Sequence, residues 1–160
     1  MDKTFLLIFE KFKDDILRLA YSYTKNITDA EDITQSVFVK LYKNKNILMR
    51  QDIEIKKWLV CVTINECKSL INSFWRKKIF LLKQEDEDNI ISKQKEDDTL
   101  SEILLLPQKY RLVIYLYYYE NYRIKEISKI LKLTETNVQT ILSRARSMLR
   151  EQLKGEWVYE

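Results

Sequence analysis

A chain of 160 residues with one glycine, Gly155, and one proline, Pro107, has almost no material for the tight turns on which hairpins and meanders depend. Apolar residues instead recur at three-and-four spacing with charged residues between them, and the sequence predicts an all-α fold. A hydrophobic content of 46% suffices for packed cores, in one domain or in two small ones.

Phe5, Ile8, Phe9, Phe12, Ile16, Leu19, Ala20 and Tyr23 mark a first amphipathic helix ending near Asn26. Thr28-Asp29-Ala30-Glu31 reads as a capping box, in which Thr28 and Glu31 satisfy each other's backbone donors at the start of a second helix reaching about Lys43. Ala30, Ile33, Val37 and Leu41 form its inner stripe, and Asp32, Gln35, Ser36 and Val39 an outer one. After a polar region from Asn44 to Gln51, Asp52 is the expected cap of a long helix running from about Ile53 to Lys78. Ile55, Trp58, Leu59, Val62, Leu70, Ile71 and Phe74 give that helix its buried side. Placed in this apolar stripe, Trp58 is expected in the core, although a tryptophan can also serve as a stacking platform for bases.

Gln84 to Asp98 is rich in acids and poor in apolar residues, so 79–99 reads as a linker, roughly 65 Å long if extended. Thr99 to Glu102 offers a second capping box, and Pro107 suits the first position of a helix carrying the tyrosine run Tyr115 to Tyr119, expected to pack inward.

From Leu106 to Leu153 the pattern becomes more specific. Ile124, Ile127, Ile130 and Leu131 describe a short helix, Lys132 and Leu133 a brief connection, and Thr134 the cap of a second helix. Val138, Ile141, Leu142, Ala145 and Leu149 turn inward on that helix, leaving Glu135, Thr136, Gln139, Thr140, Ser143, Arg144 and Ser147 as a polar stripe flanked by Arg146 and Arg150. Hydroxyls, amides and guanidinium groups on one helix face suit the DNA major groove, and two helices joined by a tight turn make the helix-turn-helix pattern. A surface helical hairpin with an Arg-rich end satisfies the same spacing.

Composition narrows the function. The chain has no histidine, which removes the commonest general base and metal ligand, so neither an enzyme nor a metal site is expected and no cofactor is implied. Cys61 and Cys67 stand six residues apart in one helix, about 9 Å by helical rise, too far for a disulfide and suited to a reducing compartment. The net charge of +4 is uneven: residues 1–80 carry 15 basic against 10 acidic side chains, 81–99 carry 3 against 7, and 100–160 carry 10 against 7. Two basic blocks around an acidic one fit polyanion binding at two places. No signal pattern and no stretch of membrane-spanning length is visible, so a cytoplasmic protein without membrane insertion is expected.

Two separated blocks resemble one family. TDAEDITQSVFVKLY at Thr28 to Tyr42, with KKWLVCVTINECKSLINSFWRKK at Lys56 to Lys78, resembles region two of bacterial RNA polymerase sigma factors. LPQKYRLVIYLYYYENYRIKEISKILKLTETNVQTILSRARSMLREQL at Leu106 to Leu153 resembles region four, and the pair in this order is similar to the small extracytoplasmic-function type of the sigma-70 family. The resemblance implies a region-two domain over 1–78, a linker over 79–99 and a region-four domain over 100–160. It implies a subunit that binds core RNA polymerase at the largest-subunit clamp and the flap, directs it to promoter DNA, assists strand opening, and has an anti-sigma factor as a further partner.

Carried onto matching positions, core binding falls to Asp32, Gln35, Ser36, Phe38 and Val39, with Ser36 standing where the family commonly has Glu. The −10 element falls to Asn46, Asn65, Lys68, Arg76, Lys77 and Lys78, on a basic surface for single-stranded bases. The −35 element falls to Thr136, Gln139, Thr140, Ser143, Arg144 and Arg146, with Lys154 also near phosphates. Ile141 replaces a usual basic residue, and Lys132 a usual glycine, at a cost on the order of 1 kcal/mol if its φ is positive. Two other classes remain open to the residues alone: a helix-turn-helix regulator that dimerises through its N-terminal helices, and a helical module that binds only protein.

Overall fold

The structure is a computed structural model that describes the backbone of residues 2–81 and 98–157 and the side chains of residues 2–70 and 101–152. Every element among these residues is helical, and the chain divides into two compact units, Met1–Lys93 and Gln94–Glu160.

The first unit is built on α1 (Lys3–Thr24), α2 (Ile27–Lys43), the single turn α3 (Lys45–Leu48) and α4 (Asp52–Leu81). Phe5, Ile8, Phe12, Ile16, Leu19 and Ala20 of α1 pack on Ala30, Ile33, Val37 and Leu41 of α2 and on Ile55, Leu59, Val60, Ile64 and Cys67 of α4, giving a three-helix core. Each fully buried Leu or Ile contributes roughly 1.5–3 kcal/mol from the area it removes from water. The buried hydroxyls of Ser22 and Thr63 donate to the carbonyls of Leu19 and Leu59, at 2.7 and 2.6 Å, so neither enters the core unsatisfied. At the rim, Asp15 accepts from Lys56 at 3.1 Å and Arg18 at 3.5 Å, and Lys11 pairs with Asp52.

Helix ends correct several sequence expectations. Lys25 ends α1 in the left-handed region, and the Asn26 side chain then accepts from Asp29 N at 2.9 Å, so the cap of α2 is Asn26 and Thr28 lies inside the helix. The first bonds of α4 run from Glu54 and Ile55 to Gln51 O, so Asp52 stands within the first turn and pairs sideways with Lys11. The polar region after Asn44 holds a helical turn, capped by Asn44, whose Leu48 is buried. On α4 the buried face is turned from the expected one: Val60, Thr63, Ile64 and Cys67 are inside, whereas Trp58, Val62 and Leu70 are half-buried. The side chains of Ile71 and Phe74, like most of the acidic linker, lie outside the described residues.

The second unit contains α5 (Asp98–Ile103), α6 (Gln108–Ile114), a π-helical turn over Tyr115–Tyr119, α7 (Ile124–Leu131) and α8 (Glu135–Trp157). Pro107 precedes α6 as its cap instead of opening it, and Thr99 lies inside α5, its side chain outside the described residues. The core joins Leu112, Val113, Tyr115 and Leu116 to Ile127 and Leu131 of α7 and to Val138, Leu142 and Ala145 of α8. Arg111 is buried beneath it and donates from Nη1 to Leu106 O at 3.1 Å. The tyrosine run is only partly core, because Tyr115 is buried and Tyr118 is 50% exposed.

Candidate partner-binding and nucleic-acid surfaces

Asp32, Gln35 and Val39 recur at three-and-four spacing on the outer face of α2, and all three are exposed. Asp29 extends this acidic end, its carboxyl held above the usual carboxylate value first by partial burial and then by the negative charge of Asp32. Two like charges on one exposed helix face favour a cationic or donor-rich partner. Ser36 sits half-buried beside them and donates to Glu66 Oε1 at 3.2 Å, and Lys40 pairs with the same carboxylate, so α2 is clasped to α4 along this edge. Phe38 departs from the expectation: it is 3% exposed and edge-on to Phe9 at 5.0 Å, so it belongs to the core and not to the stripe.

Where α2 ends, a surface cavity of about 440 Å³ is lined by Lys40, Lys43, Asn44, Lys45, Asn46 and Trp58. An indole wall, two amides and the ammonium groups of Lys43 and Lys45, beside a Lys40 already paired with Glu66, make a place where an unstacked base can lie against the ring with its phosphates held by the two lysines. Trp58 was expected in the core and stands instead at the edge of the buried face, half-exposed. Asn46 lines this cavity, while Asn65 and Lys68 do not. Asn65 lies two turns along α4 on the Trp58 side, about 10 Å away by helical rise, exposed, with Lys68 half-buried one turn further. The side chains of Arg76, Lys77 and Lys78 lie outside the described residues. The lysine triplet around Asn44 and Asn46 was the signal in the sequence for this cavity, legible only once α3 folds it against Trp58.

In the second unit, Lys132 ends α7 with φ 59° and ψ 46°, and the Thr134 hydroxyl accepts from Asn137 N at 3.0 Å to start α8. Leu133 is held from both sides, its N–H donating to Ser128 O at 3.0 Å and its carbonyl accepting from Ser128 Oγ at 2.6 Å. This fixes the angle between the two helices. Thr136, Gln139, Thr140, Ser143 and Arg144 are all exposed on one side of α8, and Val138 and Ala145 are fully buried on the other. Ile141 is 8% exposed and faces the core, so its position offers no phosphate contact. Arg146 is exposed but engaged: its Nε donates to Tyr118 Oη at 2.8 Å, and that bond leads the effects that strengthen its hold on its proton. The side chain of Lys154 lies outside the described residues.

Among the described residues no helix is long and apolar enough to cross a membrane, and no group of three His, Cys, Asp or Glu side chains is placed to hold a metal ion. Burial pushes the Cys67 thiol up to about 12, and raises the half-buried Cys61 against the opposing charge of Lys57.

Comparison with known proteins gives two family matches, Sigma-70 region 2 over residues 8–77 and Sigma-70 region 4 over residues 98–149. The chain is similar to the RNA polymerase sigma factor SigV of Bacillus subtilis (strain 168), 33% identical over 149 residues that cover 90% of this chain and 87% of that protein. It is also similar to the ECF RNA polymerase sigma factor SigW of the same organism, 30% identical over 168 residues, covering 92% and 87%. Among solved structures it shares its fold with the sigma factor RpoE from Bartonella quintana, in complex with the anti-sigma factor NepR, at a TM-score of 0.77 and 19% identity over 96% of this chain and 98% of that one. CnrH, in complex with the cytosolic domain of CnrY, matches at a TM-score of 0.61 and 19% identity, covering 94% and 88%.

Proposed function

The chain belongs to the sigma-70 family of RNA polymerase sigma factors, of the extracytoplasmic-function type, and from its surfaces we propose how it performs the promoter-directing role of that family. Residues 1–78 act as the region-two domain. Asp32, Gln35 and Val39, with Ser36 at their edge, dock on the clamp of the largest polymerase subunit, supported by their common exposure on α2 and by the uncompensated acid of Asp29 and Asp32.

The −10 element is gripped at the cavity of Trp58, Asn46, Lys43 and Lys45, with Asn65, Lys68 and the basic run Arg76 to Lys78 along the same helix. Strand opening then follows from differential binding, because bases out of the stack gain the indole face and the lysines while duplex DNA gains only the charge. Residues 79–99 tether this domain to a region-four domain over 100–160, which meets the flap and reads the −35 element through Thr136, Gln139, Thr140, Ser143 and Arg144. Arg146 and Thr136 serve the neighbouring phosphates. The protein works in the cytoplasm as a dissociable subunit, catalyses nothing itself, and is held in check by an anti-sigma factor, a partner of the kind present in the RpoE structure. A stand-alone regulator is not favoured, since the family matches span both units.

One observation carries the −35 assignment: five polar side chains exposed on one side of a capped helix that buries Val138, Ile141, Leu142 and Ala145 on the other. The test replaces Gln139 and Arg144 by Ala in holoenzyme formed with core polymerase and measures affinity for promoter duplexes with single base changes in the −35 element. Each replacement is expected to cost about 1–3 kcal/mol on the preferred base and little on the others. Equal affinity of variant and parent for every duplex would refute the assignment.

A further inference from the structure

The tyrosine run ends on the rim of α8 that carries Arg146. Across Tyr115–Tyr119 the helix widens into a π-turn, with Glu120 N bonded to Tyr115 O at 3.2 Å and Tyr122 N to Leu116 O at 3.0 Å. The wider turn inserts a residue and shifts the phase of all side chains that follow. Tyr115 therefore stays in the core while Tyr118 emerges to solvent, edge-on to Tyr117 with ring centroids 4.9 Å apart. Both rings meet Arg146, whose guanidinium carbon lies 5.3 Å from the Tyr117 centroid and 5.8 Å from that of Tyr118.

Donor arithmetic points outward from this cluster. A phenol oxygen has one hydrogen to give and two lone pairs to accept with. Tyr118 Oη accepts from the Arg146 Nε–H, which polarises its own O–H and leaves that hydrogen to be donated. Arg146 commits its Nε in this bond and makes a weaker hydrogen-bond contact with Tyr117, and of its five N–H donors the rest stay available, with its positive charge favoured first by the Tyr118 contact. Beside the pair, a surface cavity of about 380 Å³ opens between Tyr117, Tyr118, Asn121 and the exposed Arg123. A cation and a polarised hydroxyl side by side, with a second cation across an open cavity, select an anionic oxygen.

Position supplies the source of that oxygen. Gln139 and Arg146 are seven residues apart, so they stand about 20° from one another around α8, at the edge of the base-facing stripe. A helix lying in the major groove brings its edges against the sugar-phosphate backbone.

We propose that Tyr118 is a DNA-backbone contact, acting with Arg146 as one clamp on a phosphodiester that flanks the −35 element. The proposal rests on α8 being the recognition helix, and the experiment separates the two claims. Holoenzyme is bound to a promoter duplex across a salt series, with parent, Tyr118→Phe, Arg146→Gln and Gln139→Ala chains compared. Tyr118→Phe keeps the ring and its contact with the guanidinium and removes only the oxygen. It is expected to weaken binding about three- to tenfold, by the same factor on every −35 base variant, with melting temperature and core affinity unchanged. Arg146→Gln is expected to lower the slope of log affinity against log salt by about 0.9, the value for one phosphate contact. Replacing single phosphates by neutral methylphosphonate should reveal one position at which the parent loses more than Tyr118→Phe does. Parent-like binding by Tyr118→Phe overturns the clamp, and so does a loss tracking a lower melting temperature, which makes Tyr118 a packing residue. If Gln139→Ala is sensitive and Tyr118→Phe is not, only the clamp fails; if neither responds, the recognition helix itself is misassigned.

Discussion

Replacing Lys132 by glycine should stabilise the C-terminal unit by about 0.5–1 kcal/mol. Lys132 closes α7 at φ 59° and ψ 46°, where a β-carbon crowds the following carbonyl oxygen at a cost of about 1–2 kcal/mol. Glycine removes the crowding and, by enlarging the unfolded ensemble, gives back about 0.4–1 kcal/mol. Nothing else of consequence changes: the Lys132 side chain is exposed, and the bonds that hold the turn, Lys132 N to Ser128 O and the two between Leu133 and Ser128, use the backbone or Ser128 Oγ. For a unit of this size the gain corresponds to roughly 3–6 °C in its melting temperature. Calorimetry of the full chain reads it, with Lys132→Ala as the control that shortens the side chain and keeps the β-carbon. Glycine no more stable than alanine would refute the reasoning, since the strain would then not reside in the left-handed conformation.

Three further outcomes follow from the same geometry. Replacing Asp32 and Gln35 together by Ala should weaken core polymerase binding by an order of magnitude or more, with thermal stability within about 0.5 kcal/mol of the parent, because both side chains are exposed; unchanged affinity in a fluorescence titration would remove the docking stripe. Thiol labelling of the native chain at pH 8 should modify Cys61 well before Cys67, whose burial keeps it protonated to about 12 and which should label only as the helices open; equal native rates would contradict the packing of α4. An unfolded thiol ionises near 9.0 and the native Cys67 near 12, so the folded state binds the extra proton and its stability should fall as pH rises through that window. Cys67→Ala should flatten this decline, and a denaturation series between pH 8 and 11 that is equally steep in both chains would count against it.

Much of the fold was legible because helical periodicity survives packing. The inner stripe Ala30, Ile33, Val37 and Leu41 is buried throughout, and Thr134 caps α8 as its position before the polar stripe implied. Cap assignment failed at α2, where Thr28 and Glu31 satisfy the capping-box pattern but Lys25 adopts the left-handed conformation and reverses the chain two residues sooner, giving the cap to Asn26. With a single glycine in the chain, Lys25, Asn121 and Lys132 take up positive φ, and sequence alone does not mark such residues. Periodicity also could not fix the rotation of α4, because apolar residues occur on several of its faces. Which of them is buried is decided by α1 and α2, and they cover Ile55, Leu59 and Ile64 and leave Trp58 at the edge of the lysine cavity.

The polar stripe of α8 could be read directly, since an outward face needs no partner to define it. The Tyr118–Arg146 pair could not, for two reasons. Its partners are 28 residues apart, and the π-turn breaks the helical phase inside a run of similar residues. Phe38 shows the reverse: its position matched the family's docking helix, but Phe9 claims its ring for the core.

The central claim is that this chain confers promoter specificity on core polymerase through both units at once. Run-off transcription with core enzyme on a random promoter library tests it, comparing the parent with chains altered at Trp58 or at Gln139 and Arg144. The account predicts specific initiation only when the chain is present, from promoters sharing two separated elements, with Trp58→Ala impairing the downstream one and the α8 changes the upstream one. A chain that ignores core polymerase and binds a palindromic duplex as a dimer would contradict it.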